Sequence, residues 1–466
     1  MKILFVNPSI KRSEIYAKYS SGAPSLPPLG LCYLAAVLLQ KGYEVKILDC
    51  AAEQMSIEQM KEELERFAPD LVGVTSTTVS YMAARKVLRA IKETDENIIT
   101  VLGGAHISAL PVPTMKECGD IDIGVFGEGE ITLLEIVERL ERKETLKEVE
   151  GTLLRDNGSL VKGNPRKAVK NLDELPFPAR HLLKDLRLYS HTPFRGARFT
   201  TTMITSRGCP FNCGYCDQSI FGRTWRYHSP GYVVSEMAHL KEKYNIDFIS
   251  IEDDNFLLLK KRAVEICKKM IEHSLNIGWS CLGRANEVDD ELLKLMKKAG
   301  CRNIYIGIES GSPRILELIN KKLSIDDIRK GLELIKKHGI SATGSFIFGL
   351  PTETKEDIEK TINYALSLPL DGVSFFIFTP YPNTALRDIA FRHGKVSEEW
   401  KNYSGHPSSL PYIPNGMDEK YLLEVQSRAY RSFLLRPGYL MKHIGTFTSR
   451  RALGNGLKFL KALVIK

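Results

Sequence analysis

The chain has 466 residues, a formal net charge of +9, 43% apolar residues and 26% charged residues. That balance belongs to an ordinary globular protein of roughly two to four domains and excludes a fibrous or disordered chain. No window approaches the ~18 apolar residues that span a bilayer. The opening Ile3-Leu4-Phe5-Val6 is apolar only for the length of a strand, so no signal peptide is expected.

Residues 1–145 alternate short Val/Ile/Leu-rich strands with helices: KILFVNP, LGLCYLAAVLLQKG, YEVKILD, SIEQMKEELERF, DLVGVTS, SYMAARKVLRAIKE, IITVLGG, DIGVFGEGE and TLLEIVERLER. Continuous apolar strands separated by helices predict an α/β domain with a doubly wound parallel sheet. Ligands of such sheets lie beyond the carboxyl ends of the strands. Those ends carry Asn7-Pro8-Ser9, Thr75-Ser76-Thr77, Gly103-Gly104-Ala105-His106 and Gly127-Glu128-Gly129-Glu130. Small residues there let a bulky ligand approach the backbone. The first strand is not followed by G-x-G-x-x-G, which argues against a dinucleotide.

Residues 146–195 read as a connector, with a hairpin around Asn157-Gly158. Residues 196–395 begin a second βα series: TTMITS, IDFISIEDDNF, LNIGWSCLGRAN, CRNIYIGIESGS, ISATGSFIFGLPTET and DGVSFFIFTPYP. The series predicts a partial (β/α)6 barrel, whose chemistry sits on loops at the carboxyl ends of its strands. Residues 396–466 lose the rhythm and read as a small, mostly helical region with a basic end. From Arg436 to Lys466 there are seven Lys/Arg and no acid.

Nine cysteines are present. Cys32, Cys50, Cys118, Cys267, Cys281 and Cys301 are scattered singly and read as small buried residues. Cys209, Cys213 and Cys216 fall inside SRGCPFNCGYCDQS, a cluster consistent with a reducing cytoplasm. A structural zinc site takes four ligands, and no second cysteine pair exists to complete one. A 4Fe–4S cluster held by three cysteines keeps one iron open for a substrate or cofactor. Asp217 and His228 are the nearby candidates for a fourth ligand, and each reads better as a loop cap and a satisfied histidine.

C-x3-C-x-(aromatic)-C, with Tyr215 before the last cysteine, resembles the radical S-adenosylmethionine enzymes. The resemblance implies that Cys209, Cys213 and Cys216 bind 4Fe–4S and that S-adenosylmethionine chelates the open iron. Its reductive cleavage would yield a 5′-deoxyadenosyl radical. Further positions match. Glu252, Asp253 and Asp254 end the second strand, where the family meets the methionyl amino group. Arg284 would face the carboxylate. Glu309 and Ser310 stand where the family contacts the ribose, and Gly344, Gly349 and Glu353 where it approaches the adenine, Glu353 one residue late. Alternatively, Glu309 caps the following helix and the two glycines serve packing.

The N-terminal segments PPLGLCYLAAVLLQKGYEVKILD, GVTSTTVSYMAARKVLRAIK, GGAHISALP and VFGEGEITLLEIVE resemble the cobalamin-binding domain fused to one branch of that family. The resemblance places cobalamin against Ser9, Thr75, Ser76, Thr77, Gly103, Gly104, His106, Gly127, Glu128 and Gly129. D-x-H-x-x-G is absent after the first strand and His106 lies outside that context, so cobalt would lack a protein histidine and be base-off.

The implied activity is cobalamin-dependent methylation of an unactivated carbon. The alternative is radical cyclisation or coupling on a porphyrin, isoprenoid or lipid without methyl transfer. A flavodoxin or ferredoxin would supply electrons. The substrate would be a small or lipid-like molecule. Basic residues are not interleaved with aromatics, so no nucleic-acid partner is expected. The basic, leucine-rich end suits either peripheral contact with an anionic membrane or packing on the barrel with a solvated face.

Overall fold

The computed structural model describes residues 1–10, 25–189, 197, 199–404 and 410–439. The basic end from residue 440 onward lies outside the described residues.

The first sheet has seven strands: β1 (Lys2–Asn7), β2 (Glu44–Asp49), β3 (Leu71–Thr75), β4 (Ile99–Gly103), β5 (Ile123–Val125), β6 (Thr152–Asp156) and β7 (Ser159–Lys162), in the order β2-β1-β3-β4-β5-β6-β7. Strands β1 to β5 run parallel, and β6 and β7 join antiparallel. The expected hairpin forms at Asn157 and Gly158, both with positive φ as a tight two-residue turn requires, and it extends the sheet. Successive residues of β1 face opposite sides. Ile3 and Phe5 pack with helices Leu29–Gln40 and Glu130–Glu141, and Leu4 and Val6 with helices Ile57–Phe67 and Tyr81–Thr94. Burial on both faces accounts for the continuous apolar runs in the sequence.

The second series starts with β8 (Thr200–Met203). A short antiparallel pair, β9 (Ser206–Arg207) and β10 (Arg226–Tyr227), brackets the cysteine loop. Then come β11 (Phe248–Ile251), β12 (Gly278–Gly283), β13 (Cys301–Glu309), β14 (Ser341–Phe348) and β15 (Gly372–Ile377). Their order is β15-β14-β13-β12-β11-β8, all parallel. The two ends of this sheet do not pair, so the barrel is partial. An exposed strand edge invites unwanted pairing. Helix Glu419–Leu434 covers it: Gln426 Nε2 donates to the Phe375 carbonyl at 2.8 Å and Tyr430 Oη accepts from Phe375 N at 3.0 Å. Before that helix, β16 (Gly394–Val396) pairs with β17 (Tyr412–Pro414).

The two sheets are joined by buried polar contacts. Arg180 pairs with Glu236 at 2.7 Å and also donates to the Thr202 carbonyl at 2.9 Å. Ala179 N bonds to the Cys32 carbonyl at 2.9 Å. Farther along, at the exposed edge of the seam, Trp400 Nε1 donates to Glu117 at 3.2 Å.

Candidate functional site

The cysteine loop is shaped by backbone contacts. Gly208 has φ +81°, and a Cβ there would lie 2.6 Å from the Thr224 carbonyl, so only glycine fits. Gln218 Nε2 donates to the carbonyls of Cys209 (2.9 Å) and Phe211 (3.1 Å). Gly214 N donates to the Ile319 carbonyl, and the Gly214 carbonyl accepts from Leu386 N, each at 2.9 Å. All three cysteines are free thiols. Burial, and then the Asp254 carboxylate, push the Cys216 thiol up to about 12. Among the described residues, no three His, Cys, Asp or Glu side chains converge on a single ion position. Asp217 caps the loop, accepting from Ser219 N at 3.0 Å. His228 is buried, stacked on Tyr232 and bonded to Asp173 at 3.3 Å. Both side chains are engaged by neighbouring residues of the chain.

Around this loop stand the polar ends of the barrel strands. Glu309 closes β13 with φ +69°, an uncommon conformation for a residue with a side chain. Its Oε1 accepts from Tyr215 Oη and from Lys321 Nζ, both at 2.7 Å. Lys321 also reaches the Tyr215 hydroxyl at 3.2 Å. Burial, followed by the Glu309 charge, holds the Tyr215 phenol well above its ordinary value, which keeps it a donor. The second oxygen, Oε2, has only a 3.5 Å contact from Ser345 Oγ. Glu252 ends β11 half-buried, close enough to Tyr305 to raise its phenol after burial has done so. Asp254 is exposed and accepts from the Gly208 backbone.

Several residues expected at the ligand make contacts within the fold. Asp253 is buried and accepts four bonds, from the backbone N–H and hydroxyl of both Thr205 and Ser206. It thereby fixes the strand that leads to the cysteines and has little capacity left for an amino group. Arg284 lies 3.9 Å over the Phe211 ring and donates to the Lys321 and Lys322 carbonyls, so it braces the loop. Ser310 bonds Thr361 and the Ser312 backbone. A Cβ on Gly344 would meet Ile308 at 2.8 Å and Leu370 at 2.9 Å, which makes that glycine a packing requirement. Gly349 has φ +74°, and Glu353 turns back to accept from Gly349 N (2.6 Å) and Leu350 N (3.1 Å).

The first sheet presents the opposite picture. A cavity of about 180 Å³ opens at its carboxyl end, lined by Thr75, Gly103, Gly104, Gly127, Glu128 and Gly129 together with apolar side chains such as Leu31, Leu34 and Val101. Gly30 and Gly103 have nothing within 4 Å of where a Cβ would stand, so both leave open space. Gly104, at φ +103°, is pressed against Ser76, whose carbonyl would be 2.5 Å from a Cβ. The far wall is Ile204, Arg207, Ile220 and Phe221 from the barrel side. The cavity is therefore shared by the two sheets.

Four expected cobalamin contacts fall outside its lining. Ser9 is exposed and Ser76 buried under Gly104. Thr77 and Ser80 cap each other at the start of helix Tyr81–Thr94. His106 is stacked on Tyr81 at 4.0 Å and meets Trp400 edge-on at 5.0 Å, with Nδ1 on Thr78. Burial pushes it down to about 4, so it is a neutral core imidazole.

The radical SAM superfamily matches residues 203–365 and the B12 binding domain matches residues 21–137. An uncharacterized methyltransferase of Pyrococcus horikoshii is 38% identical over 95% of this chain and 95% of its own length. The chain belongs to the radical S-adenosylmethionine enzymes that carry a B12-binding domain. An anaerobic magnesium-protoporphyrin IX monomethyl ester cyclase of Cereibacter sphaeroides is 30% identical over 99% of this chain and 75% of that protein. In fold, the chain resembles the radical S-adenosylmethionine methyltransferase TsrM from Kitasatospora setae, solved with cobalamin and a 4Fe–4S cluster, at TM-score 0.73 and 17% identity over 99% of both chains.

Between the two sites of this radical S-adenosylmethionine enzyme lie residues that no sequence motif marks. Arg207, two positions before Cys209, is 3% exposed. Its Nη2 donates to Glu130 at 2.6 Å, and its guanidinium lies 5.1 Å from the Tyr33 ring and 5.3 Å from the Phe221 ring. Arg226 Nη1 and Nη2 hold Glu128 at 3.0 and 2.5 Å. Four charges buried at one seam are costly unless mutually paired. The available signal was a pair of acids, Glu128 and Glu130, on one domain and Arg207 beside the cysteines on the other. Lys321, which fixes Glu309, gave no motif.

Proposed function

We propose that this protein is a cobalamin-dependent methyltransferase acting on an unactivated carbon of a small or lipid-like molecule. The observation that carries the reading is the shared cavity, whose wall includes Arg207, two residues from the first cluster ligand. Its glycine floor and the open space beside Gly30 and Gly103 would admit an inserted part of a bulky cofactor. Cys209, Cys213 and Cys216 would hold the 4Fe–4S cluster. When bound, the cluster with S-adenosylmethionine supplies hydrogen-atom abstraction, and cobalamin supplies the methyl group; this chemistry belongs to the cofactors.

The chain's own work is placement. Lys321 and Tyr215 hold Glu309 by one oxygen, leaving Oε2 for a ribose hydroxyl. Glu252 stands at the end of β11 as the acceptor for an ammonium group. Asp253 and Arg284 fix the two sides of the cysteine loop, and the apolar lining of the cavity keeps water from the corrin's surroundings. An external flavodoxin- or ferredoxin-type protein would deliver the electron.

The similarity to the cyclase supports ring closure as the second reading. Anaerobic reconstitution with iron, sulfide and cobalamin, followed by product analysis with methyl-labelled S-adenosylmethionine, separates the two. Label in the product is expected. Corrin-loaded protein that forms 5′-deoxyadenosine without ever transferring label would overturn methyl transfer. The leucine- and lysine-rich end supports peripheral contact with anionic membranes. Equal liposome sedimentation of the full chain and a chain truncated after Leu435 would reject that contact.

A further inference from the structure

One residue of the cavity wall, Arg207, carries a guanidinium nitrogen without a hydrogen-bond partner. Arg207 lines the cavity and is 3% exposed, and its Nη1 makes no hydrogen bond. Nη1 sits 3.6 Å from Glu128 Oε1, close enough for charge attraction but beyond hydrogen-bond reach. Glu128 is already committed to two nitrogens of Arg226 and to Val169 N at 3.0 Å. Buried guanidinium nitrogens normally find acceptors, and one left free costs desolvation energy, so an acceptor oxygen from a ligand is the economical explanation.

Size narrows the choice. A cavity of about 180 Å³ is smaller than typical pockets for whole drug-sized ligands and far too small for a corrin ring with its side chains. It has room for the planar base of the nucleotide arm. The arm's ribose and phosphate would then follow at the mouth, where phosphate is the acceptor that a planar guanidinium fork suits best.

We propose that Arg207 is the barrel's contact to the nucleotide arm of cobalamin, donating from Nη1 to a ribose or phosphate oxygen while Nη2 stays on Glu130. The inference rests on the reading that the first domain binds cobalamin. Because Arg207 belongs to β9, adjacent to Gly208 and Cys209, the contact ties occupancy of the cavity to the strand that carries the cluster. Arg207 thereby becomes a specificity residue for complete cobalamin over a corrinoid that lacks the arm.

The test compares cobalamin with cobinamide, which has the corrin but no nucleotide. Binding is followed by corrin absorbance with the full chain, using wild type, Arg207→Lys, and the double variant Arg207→Met with Glu130→Gln, which removes the buried charge pair together. Thermal unfolding shows that each variant is folded before binding is scored. Cobalamin binding is expected to weaken by about ten- to a hundred-fold in both variants, the range for losing a hydrogen bond to a charged group, with cobinamide binding unchanged. A purely structural role would weaken both corrinoids alike or neither, and either outcome overturns the proposal. If wild-type protein binds neither corrinoid, the underlying cobalamin reading falls, which is a separate and recognisable failure.

Discussion

The two strand-end regions of this molecule solve the same problem in opposite ways. At the end of the first sheet, small residues withdraw: Gly30 and Gly103 leave space, and the lining of the cavity is mostly apolar. At the end of the barrel, polar residues advance and engage one another, as in Asp253 on Thr205 and Ser206 or Glu309 with Lys321 and Tyr215. The first region leaves an apolar cavity open at the sheet's end. The second is built to hold a loop of three thiols in one shape. A glycine at a strand end thus points to a ligand more directly than an acid does, because an acid has many alternative uses within the chain.

The sharpest way to separate the regions is to disable one. Cys213→Ser removes one of the three cysteines proposed to hold the cluster, and Cys213 does not line the cavity. Reconstituted protein is expected to lose most of its iron and sulfide and all detectable cleavage of S-adenosylmethionine, while corrin retention stays near wild type. Loss of corrin together with iron would show that the two sites do not form separately. Next in size is the seam itself. Arg180 and Glu236 are both essentially inaccessible, so Arg180→Met strands a buried carboxylate. The expected loss is about 3–5 kcal/mol of stability, read as a lowered denaturation midpoint. Adding Glu236→Gln should restore most of it. A single variant as stable as wild type would contradict the pairing.

The glycines give a smaller and more selective effect. Gly104→Ala places a Cβ against the Ser76 backbone at positive φ, with a cost of about 1–3 kcal/mol in folding. A Cβ on Gly103 meets nothing within 4 Å and the residue lines the cavity, so Gly103→Val is expected to intrude there. Its stability should match wild type while corrin binding weakens about ten- to a hundred-fold, the equivalent of about 1–3 kcal/mol of overpacking. If Gly103→Val binds corrin normally, the cavity is not where the cofactor goes.

This contrast also explains what the sequence disclosed. Strand and helix order was legible because β1 to β5 are covered on both faces and read as apolar runs, and because β11 to β15 recur as β-rich segments between helices although β14 and β15 are only partly buried. The cysteine loop was legible because three thiols in eight residues have few other uses. Thr75, Gly103, Gly104, Gly127, Glu128 and Gly129 were legible from their places at strand ends, and the structure brings all six to one cavity. The barrel acids were harder, since Asp253 and Glu353 occupy the expected strand ends yet spend their oxygens on nearby backbone. His106 misled for a related reason: it follows a glycine pair at a strand end, but its ring is drawn under Tyr81 and Trp400, and Trp400 is almost 300 residues away. Arg207 was invisible because its partners, Glu128 and Glu130, belong to the other domain, and a single sequence does not pair distant charges.

The smallest expected effect isolates the self-engaged character of the barrel end. Glu353 is 3% exposed, and its Oε1 has no hydrogen-bond partner. Burial raises its carboxyl from an ordinary 4.5 to about 8, against the lowering pull of the Leu350 and Gly349 N–H groups. The folded state therefore binds this proton more tightly than the unfolded chain does. Its contribution to stability is complete below about 4.5, diminishes as pH rises toward 8, and is gone above that. Glu353→Gln mimics the protonated form: the amide oxygen can keep the two backbone bonds, and no charge appears at any pH. At pH 5 the variant should unfold at nearly the wild-type temperature, and by pH 8 it should be the more stable of the two. Thermal unfolding across that range checks the sign. A carboxylate whose real work is to bind adenine from an open position would titrate near its ordinary value, and the two curves would then run parallel over the whole window.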